Sequence, residues 1–328
     1  MSKGINRRQF IAGASLVTLS AITGVGTNIS FAKEPIKRVG GPKLKISLNA
    51  YSFAKLLNDY NKTGKGMSLF DLLDFCAKYN FDAVDATAYY FPGYPEKLPP
   101  DSFIYEFKRR AFELGLDISG TGVRNHFTVA DKKIRAESVQ HIKDWIEVAA
   151  KLGAPVIRVF ADTQKRGLSW NSPEVAGNAT REEVEEWIAE NLHECAEHGK
   201  KYGVIVGVQN HGDFLKTADD LISLIKHVDS DWCGAIVDTG YFKTEDPYID
   251  MAKAAPYAVN WQIKTSPFGQ DSDIHIDLKR LIKIIKDSGY RGYLPIETLA
   301  RRNGNIAYNP YEEVPKFLNE LREAIEKY

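Results

Sequence analysis

Short apolar runs alternate with longer segments of helical periodicity from residue 43 to the end of the chain. The runs predict strands over residues 45–53, 81–89, 116–123, 155–161, 203–210, 233–240, 258–265 and 291–299. Runs of this length, rich in Val, Ile and aromatic residues, are typical of strands buried in a parallel sheet. A helical segment follows each run, so the chain is predicted to contain eight β–α units.

The helical segments have recognisable ends. Residues 67–80 (MSLFDLLDFCAKYN) carry apolar residues at helical spacing. Residues 181–203 begin with acidic residues, end with basic ones and stop at Gly203, and a later segment stops in the same way at Gly289. Acidic starts, basic ends and a terminal glycine complement the dipole and the C-terminal cap of a helix. The last predicted helix, residues 312–328, closes the chain.

Strict β–α alternation predicts an α/β protein with a parallel sheet. Eight units without a Gly-rich dinucleotide fingerprint favour a closed (β/α)₈ TIM barrel over an open doubly wound sheet. No break in composition divides the chain, so we expect one domain over residues 43–328, preceded by a linker at 33–42. Two long insertions, 89–102 and 162–179, follow the second and fourth strands. Loops at that end of a barrel shape substrate pockets.

The first 32 residues predict a signal peptide. Arg7 and Arg8 precede an uncharged stretch that lasts until Lys33, and residues 30–32 (SFA) supply small residues of the kind that a signal peptidase recognises. This layout is typical of twin-arginine export, whereas the alternative is an uncleaved membrane anchor. We therefore expect the export machinery as a partner, a periplasmic or otherwise exported location, and a mature protein without a membrane span.

Composition and charge argue against two further classes. The chain has 43 basic and 43 acidic residues, and the predicted signal peptide contains three of the basic residues and none of the acidic ones. The mature chain thus has slightly more acidic than basic residues, whereas a nucleic-acid-binding surface needs clustered positive charge. The three cysteines show no CxxC spacing, which argues against a disulfide framework or a zinc ribbon.

Polar residues lie at the C-terminal ends of four consecutive strands. They are Gln209, Asp238, Gln262 and Glu297. A single Asp at such a position is often a turn or helix cap. Four oxygen-bearing side chains on consecutive strands of a barrel would instead converge on its axis. Two carboxylates and two amide oxygens suit a hard divalent ion such as Mg²⁺ or Mn²⁺.

Other candidates lie at the same end of the predicted strands. His126 follows the third strand and Arg158 lies within the fourth, and each is either a substrate-binding residue or a core residue with satisfied hydrogen bonds. Tyr51 and Phe53 end the first strand, and Tyr241 follows the sixth. Aromatic rings stack on the C–H face of a sugar, so these three residues favour a carbohydrate pocket, with loop packing as the alternative.

Four segments, VGVQNH, AIVDTGY, NWQIKT and GYRGYLPIETL, resemble those of the xylose-isomerase-like TIM barrels, or sugar phosphate isomerases and epimerases. The resemblance covers residues 43–327. It implies one divalent metal ion (Mn, Mg, Co or Zn), which the family holds at four strand ends, commonly through Glu, Asp, His and Glu. Asp238 and Glu297 match that pattern. Gln262 replaces the His, as in the hydroxypyruvate-isomerase branch, and Gln209 stands where the usual pattern has Glu.

The resemblance also implies a type of chemistry. In the family's epimerases, two glutamates flank the substrate and exchange a proton next to its carbonyl, while the metal stabilises the enediolate. Gln209 cannot take a proton at neutral pH, so a symmetric reaction with two glutamates is disfavoured. One-base chemistry stays open, with Glu297 as the base and Lys264 or His211 as the acid. Each of these two lies two residues beyond a strand-end glutamine, on the same side of its strand.

The leading prediction is an exported, metal-dependent isomerase or epimerase of a sugar or keto-sugar that abstracts a proton next to a carbonyl. The same enediolate could expel a β-leaving group, which would make the protein a lyase or a glycoside-cleaving enzyme for oxidised sugars. A non-catalytic periplasmic sugar-binding protein is a further alternative. An AP-endonuclease-like relative would need a His-rich zinc site, which this oxygen-dominated set does not provide. The sugar and the oligomeric state stay open.

Overall fold

Eight parallel strands close into a barrel in the computed structural model, which describes residues 33–163, 167–301 and 308–328. The strands are β1 (Lys43–Asn49), β2 (Ala83–Asp85), β3 (Asp117–Gly122), β4 (Val156–Phe160), β5 (Ile205–Gln209), β6 (Cys233–Asp238), β7 (Ala258–Lys264) and β8 (Arg291–Glu297). Each strand pairs with its neighbours in chain order, and β8 pairs with β1 to close the barrel. The predicted single-domain TIM barrel is therefore confirmed.

Helices connect the strands on the outside of the barrel. Within the described residues they are α1 (Ala54–Thr63), α2 (Leu69–Lys78), α3 (Asp101–Glu113), α4 (Lys132–Leu152), α5 (Pro173–Ala176), α6 (Arg181–Tyr202), α7 (Ala218–Val228), α8 (Pro247–Ala254), α9 (Leu278–Asp287) and α10 (Pro310–Lys327). Single turns of tighter helix lie at Ala50–Phe53, Ala88–Tyr90 and Ala255–Tyr257. The apolar faces of the helices and strands form one continuous core.

The predicted helix ends are close to the observed ones. Helix α6 begins after Thr180, whose side chain caps the backbone N–H of Glu183 while Glu183 caps the Thr180 backbone in return. It ends at Gly203, which has a φ of 73° and therefore adopts a left-handed conformation that glycine tolerates. Helix α9 similarly ends just before Gly289, which has a φ of 68°. Local capping chemistry thus defines these ends.

The first two strands are shorter than predicted. Strand β1 ends at Asn49, because the Asn49 side chain accepts a hydrogen bond of 2.8 Å from the Tyr51 backbone N–H and starts a turn over Ala50–Phe53. Strand β2 has three residues, and a second turn follows it at Ala88–Tyr90. Both strands therefore end deeper in the barrel than the apolar pattern indicated.

Residues 33–42, predicted as a linker, contain no helix or strand but bind the N-terminal end of the barrel. The Ile36 backbone N–H donates to Pro256 O at 3.0 Å, and an Arg38 guanidinium nitrogen donates to Ala258 O at 2.6 Å. The predicted twin-arginine signal lies outside the described residues. Among the described helices, none is both long enough and apolar enough to cross a membrane.

Candidate active site

The C-terminal ends of the strands surround a cavity of about 240 Å³. Its wall consists of Asn49, Tyr51, Tyr89, Arg124, Arg158, Phe160, Gln209, His211, Tyr241, Lys264, Gln270, Glu297 and Leu299. A neighbouring cavity of about 310 Å³ shares Lys264 and Glu297 with it. The structure therefore brings the three predicted catalytic residues, His211, Lys264 and Glu297, to one cavity, as expected for the C-terminal face of a TIM barrel.

Three of the predicted substrate-binding residues, Tyr51, Arg158 and Tyr241, also line this cavity, but Phe53 and His126 do not. Phe53 lies in the turn after β1, and its ring packs edge-on against Phe75 and Tyr311 at centroid distances of 4.8 and 5.4 Å. The His126 backbone N–H donates to a side chain of helix α4. The early end of β1 thus places Phe53 in the core rather than at the cavity wall.

The ammonium group of Lys264 lies between two buried carboxylates. It donates to Glu297 Oε1 and lies 3.5 Å from Asp238 Oδ2. The side chains of Lys264, Asp238 and Glu297 are 7%, 0% and 9% exposed, so water contributes little to their solvation. Strand pairing sets this arrangement, because Lys264 lies opposite Glu297 in the ladder between β7 and β8.

Two glutamines complete the hydrogen bonding of these carboxylates. Gln209 Nε2 donates to Asp238 Oδ2 at 2.5 Å, and Gln262 Nε2 donates to Glu297 Oε2. The Gly240 backbone N–H donates to Asp238 Oδ1 at 2.9 Å. Both oxygens of each carboxylate therefore accept a hydrogen bond from the protein, which is the condition for keeping a charge buried at moderate cost.

Opposing effects determine the protonation state of this cluster. Burial lowers the pKa of Lys264, but the negative charges of Asp238 and Glu297 outweigh burial, and the pKa is raised overall. Burial also raises the pKa of Asp238, and the charge of Lys264 opposes that shift. Lys264 consequently carries a proton and a positive charge at neutral pH.

The predicted metal ligands meet around the ammonium group of Lys264. An ion would compete with the ammonium of Lys264 for oxygens of both Asp238 and Glu297. The amide oxygen of Gln262 already accepts a hydrogen bond of 3.2 Å from Asn49 Nδ2. Among the described residues, no group of three or more His, Cys, Asp or Glu side chains is placed to hold a metal. The donor set is thus organised around an ammonium group.

His211 forms a pair with Asp162, which sequence reasoning missed. His211 Nδ1 lies 2.9 Å from Asp162 Oδ2, and the two side chains are 29% and 3% exposed. The carboxylate accepts the Nδ1 proton and leaves Nε2 as the nitrogen for proton exchange. The His211 ring also stacks on Tyr241 at 4.1 Å between centroids. Asp162 lies two residues beyond the end of β4, so its position near a strand end is a signal that could have identified it.

Gly212 makes the His211–Asp162 contact sterically feasible. Its φ is +78°, and a Cβ at this position would lie 2.0 Å from Asp162 Oδ2. Any other residue would therefore push the carboxylate away from the imidazole as well as strain the backbone. The local sequence His211-Gly212 is thus matched to an acid that lies far away in the sequence.

A second missed pair, Asn49 and Asp85, lies deeper in the barrel. Asn49 Nδ2 lies 3.4 Å from Asp85 Oδ1, and Asp85 is 6% exposed. Burial raises the pKa of Asp85 to about 6, although the charge of Arg158 opposes the shift. Both residues end strands, β1 and β2, so the same polar strand-end signal that identified the later residues also applies to them.

Comparisons with known proteins agree on the fold. A family model described as "Xylose isomerase-like TIM barrel" matches residues 73–321. A crystal structure of D-psicose 3-epimerase with D-fructose has a TM-score of 0.69 and 14% identity, covering 86% of this chain and 99% of that one. A 3-keto-D-glucoside 4-epimerase from E. coli has a TM-score of 0.65 and 15% identity, with coverages of 86% and 99%.

A third structure, the IOLI protein with a bound zinc atom, has a TM-score of 0.65 and 16% identity, covering 87% of this chain and 99% of that one. A sequence comparison with curated proteins found no match. At these identities the solved structures show the shared fold. The family model, in contrast, spans well over half of the sequence. The chain therefore belongs to the xylose isomerase-like TIM barrel family.

Proposed function

We propose that this protein is an isomerase or epimerase of a sugar or keto-sugar and moves a proton at a carbon next to a carbonyl. One observation carries the proposal: Glu297 and His211 line the same cavity, and the ammonium of Lys264 is bonded to Glu297 there. Such a site holds two groups that exchange protons and one cation that stabilises an oxyanion. The names of the similar D-psicose and 3-keto-D-glucoside epimerases support this reaction class.

Glu297 is the base in this proposal. Its carboxylate takes the proton from the carbon, the C–H electron pair forms a C=C bond, and the negative charge moves to the former carbonyl oxygen. Lys264 lies beside that charge and stabilises it as an ammonium group. Asp238 keeps Lys264 protonated and holds it in place through their 3.5 Å contact. The buried site makes these interactions stronger than they are in water.

His211 is the second proton-transfer group. Gln209 occupies the strand-end position that would otherwise hold a second base, and an amide cannot take a proton at neutral pH. His211 lies two residues further along and is oriented by Asp162. A proton returned by His211 to the other face of the same carbon gives an epimer. A proton placed on the neighbouring carbon, while the hydroxyl proton passes to the former carbonyl oxygen, gives an isomer.

A divalent ion (Mn, Mg, Co or Zn) is the competing candidate for charge stabilisation. Its ligands would be Gln209, Asp238, Gln262 and Glu297, and Lys264 would have to leave both carboxylates first. Elemental mass spectrometry of purified protein tests this candidate. About one equivalent of metal that is lost in an Asp238→Asn variant would favour the ion, whereas metal-free protein with full activity supports the role of Lys264.

Proton exchange in D₂O tests the reaction itself. The native protein should incorporate deuterium next to the carbonyl of its keto-sugar substrate, as seen by NMR, before and after treatment with a chelator. Glu297→Gln should abolish incorporation. Release of an alcohol from a glycoside of an oxidised sugar would indicate a lyase, and tight sugar binding without any exchange would indicate a binding protein.

We also propose that the protein is exported through the twin-arginine route. The support is the sequence alone: Arg7 and Arg8, the uncharged stretch after them and the small residues at 30–32. Export of folded protein would place the site in contact with extracytoplasmic sugars.

A further inference from the structure

One wall of the cavity carries two guanidinium groups against the ring of Tyr89. Arg158 projects from β4 and is 8% exposed, whereas Arg124 follows β3 and is exposed. Their guanidinium carbons lie 5.5 Å and 4.7 Å from the centre of the Tyr89 ring. All three side chains line the cavity that also contains Glu297. We refer to Arg124, Arg158 and Tyr89 as the guanidinium wall.

Arg158 is a buried cation with unused hydrogen-bond donors. Within the described part of the chain, the guanidinium of Arg158 makes one hydrogen bond, to the Tyr89 hydroxyl at 3.1 Å, although a guanidinium has five N–H groups. It forms no ion pair with any described residue. Buried charges are normally paired, because an unpaired one loses its hydration without compensation. The free donors of Arg158 therefore favour an anionic partner inside the cavity.

The neighbouring residues fix the position of this cation. A Cβ at residue 122 would lie 2.6 Å from Arg158 Nε and 2.7 Å from one of its terminal nitrogens, so Gly122 leaves the space that the guanidinium occupies. The guanidinium carbon also lies 4.4 Å from the centre of the Phe160 ring. A planar group held in this way loses little conformational freedom when it binds a ligand.

The acids near Arg158 limit the charge of the ligand. Asp85 and Glu297 interact with Arg158 through space, and neither forms an ion pair with it. A dianionic phosphate would bring two further negative charges close to these carboxylates. A carboxylate brings one, and its two oxygens match two parallel N–H groups of a guanidinium. The local charge balance therefore favours a carboxylate.

We propose that the guanidinium wall binds a carboxylate of the substrate, so that the preferred substrate is a sugar acid with a keto group. The carboxylate lies at the end of the molecule remote from the carbonyl on which Glu297 and Lys264 act. This inference rests on the proposed function, because it assigns a substrate class to the same site. Arg158 supplies the buried contact, and Arg124 supplies a weaker, solvent-exposed one.

Binding measurements with three matched ligands test the proposal. D-Fructose, D-fructuronate and D-fructose 6-phosphate share one keto-sugar skeleton and differ in the group at one end. Calorimetry on the full-length protein should show that D-fructuronate binds about ten- to a hundredfold more tightly than D-fructose, as expected for hydrogen bonds to a charged group. Arg158→Met should remove this preference, so that D-fructuronate and D-fructose bind with similar affinity. Arg158→Lys should retain part of this preference, because the positive charge stays but the two parallel N–H donors of the guanidinium are lost.

Arg109→Met is the matched control, since Arg109 is exposed on α3, pairs with Glu113 and is not among the residues that line the cavity. It should leave the preference unchanged. D-Fructuronate that binds no more tightly than D-fructose, or does not bind at all, overturns the proposal. So does a preference that survives Arg158→Met, or a tighter binding of D-fructose 6-phosphate. Unfolding in urea checks that the variants fold.

The two proposals fail separately. Calorimetry detects the carboxylate preference whether or not the ligand reacts, whereas deuterium incorporation detects the reaction. A preference for D-fructuronate without deuterium incorporation would remove the proposed isomerase or epimerase function and leave the carboxylate site in place. Deuterium incorporation into both sugars, together with equal affinities for D-fructose and D-fructuronate, would leave the isomerase or epimerase function in place and remove the carboxylate site.

Discussion

Replacement of Lys264 by Met should strongly destabilise the protein. The substitution removes the ammonium group from between Asp238 and Glu297, whose side chains are 0% and 9% exposed, and leaves an apolar chain of similar length. Both carboxylates then stay buried without their cation. Removal of one partner from a buried pair costs about 3–5 kcal/mol of unfolding free energy. We expect a loss in this range at pH 7.

A second substitution isolates the electrostatic cause. Glu297→Gln in the Lys264→Met background removes the carboxylate to which the ammonium of Lys264 was hydrogen-bonded. The double variant should therefore be more stable than the sum of the two single effects predicts, by at least about 1 kcal/mol. The recovery is partial, because Asp238 stays charged and keeps only its bonds from Gln209 and Gly240.

Urea unfolding followed by tryptophan fluorescence measures these differences. Trp261, which is fully buried in β7, lies close to the substituted position along the same strand and reports on this part of the barrel. The dependence of the unfolding free energy on urea should stay constant between variants. Lys253→Met is the matched control, since its pair with Asp219 is exposed and contributes at most about 1 kcal/mol. A Lys264→Met protein as stable as this control, or strictly additive single effects, would refute the reasoning.

Further predictions concern pH, catalysis and export. Burial raises the pKa of Asp85 from 3.8 to about 6, so over this range the folded protein binds more protons than the unfolded chain and loses stability as the pH rises. In an Asp85→Asn variant, the urea midpoint should fall less steeply as the pH rises. An unchanged dependence of the midpoint on pH would contradict the raised pKa of Asp85. Asp162→Asn should slow deuterium exchange about a hundredfold without a comparable loss of stability, because His211 loses the group that orients it; an unchanged rate would exclude His211 as the second proton-transfer group. Replacement of Arg7 and Arg8 by Lys should retain the precursor in the cytoplasm on cell fractionation, and normal export would argue against the twin-arginine route.

The sequence alone was sufficient for the fold and for most of the candidate site. Alternation of strands and helices, capping residues and glycines act over a few residues, so the pattern around α6 and Gly203 predicts that helix end without tertiary information. A parallel barrel also brings the C-terminal ends of all its strands together. For this reason, residues as distant as Gln209 and Glu297 were correctly expected at one cavity.

Only the tertiary structure decided which of these residues interact. The stagger between neighbouring strands places Lys264 opposite Glu297, and this contact puts an ammonium group among the predicted metal ligands. The loop after β4 brings Asp162 to His211 across 49 residues of sequence. Such contacts depend on register, strand length and side-chain direction within a few ångströms. A pattern of residue types contains none of these quantities, so the sequence determined the set of candidates and the folded barrel determined their partners.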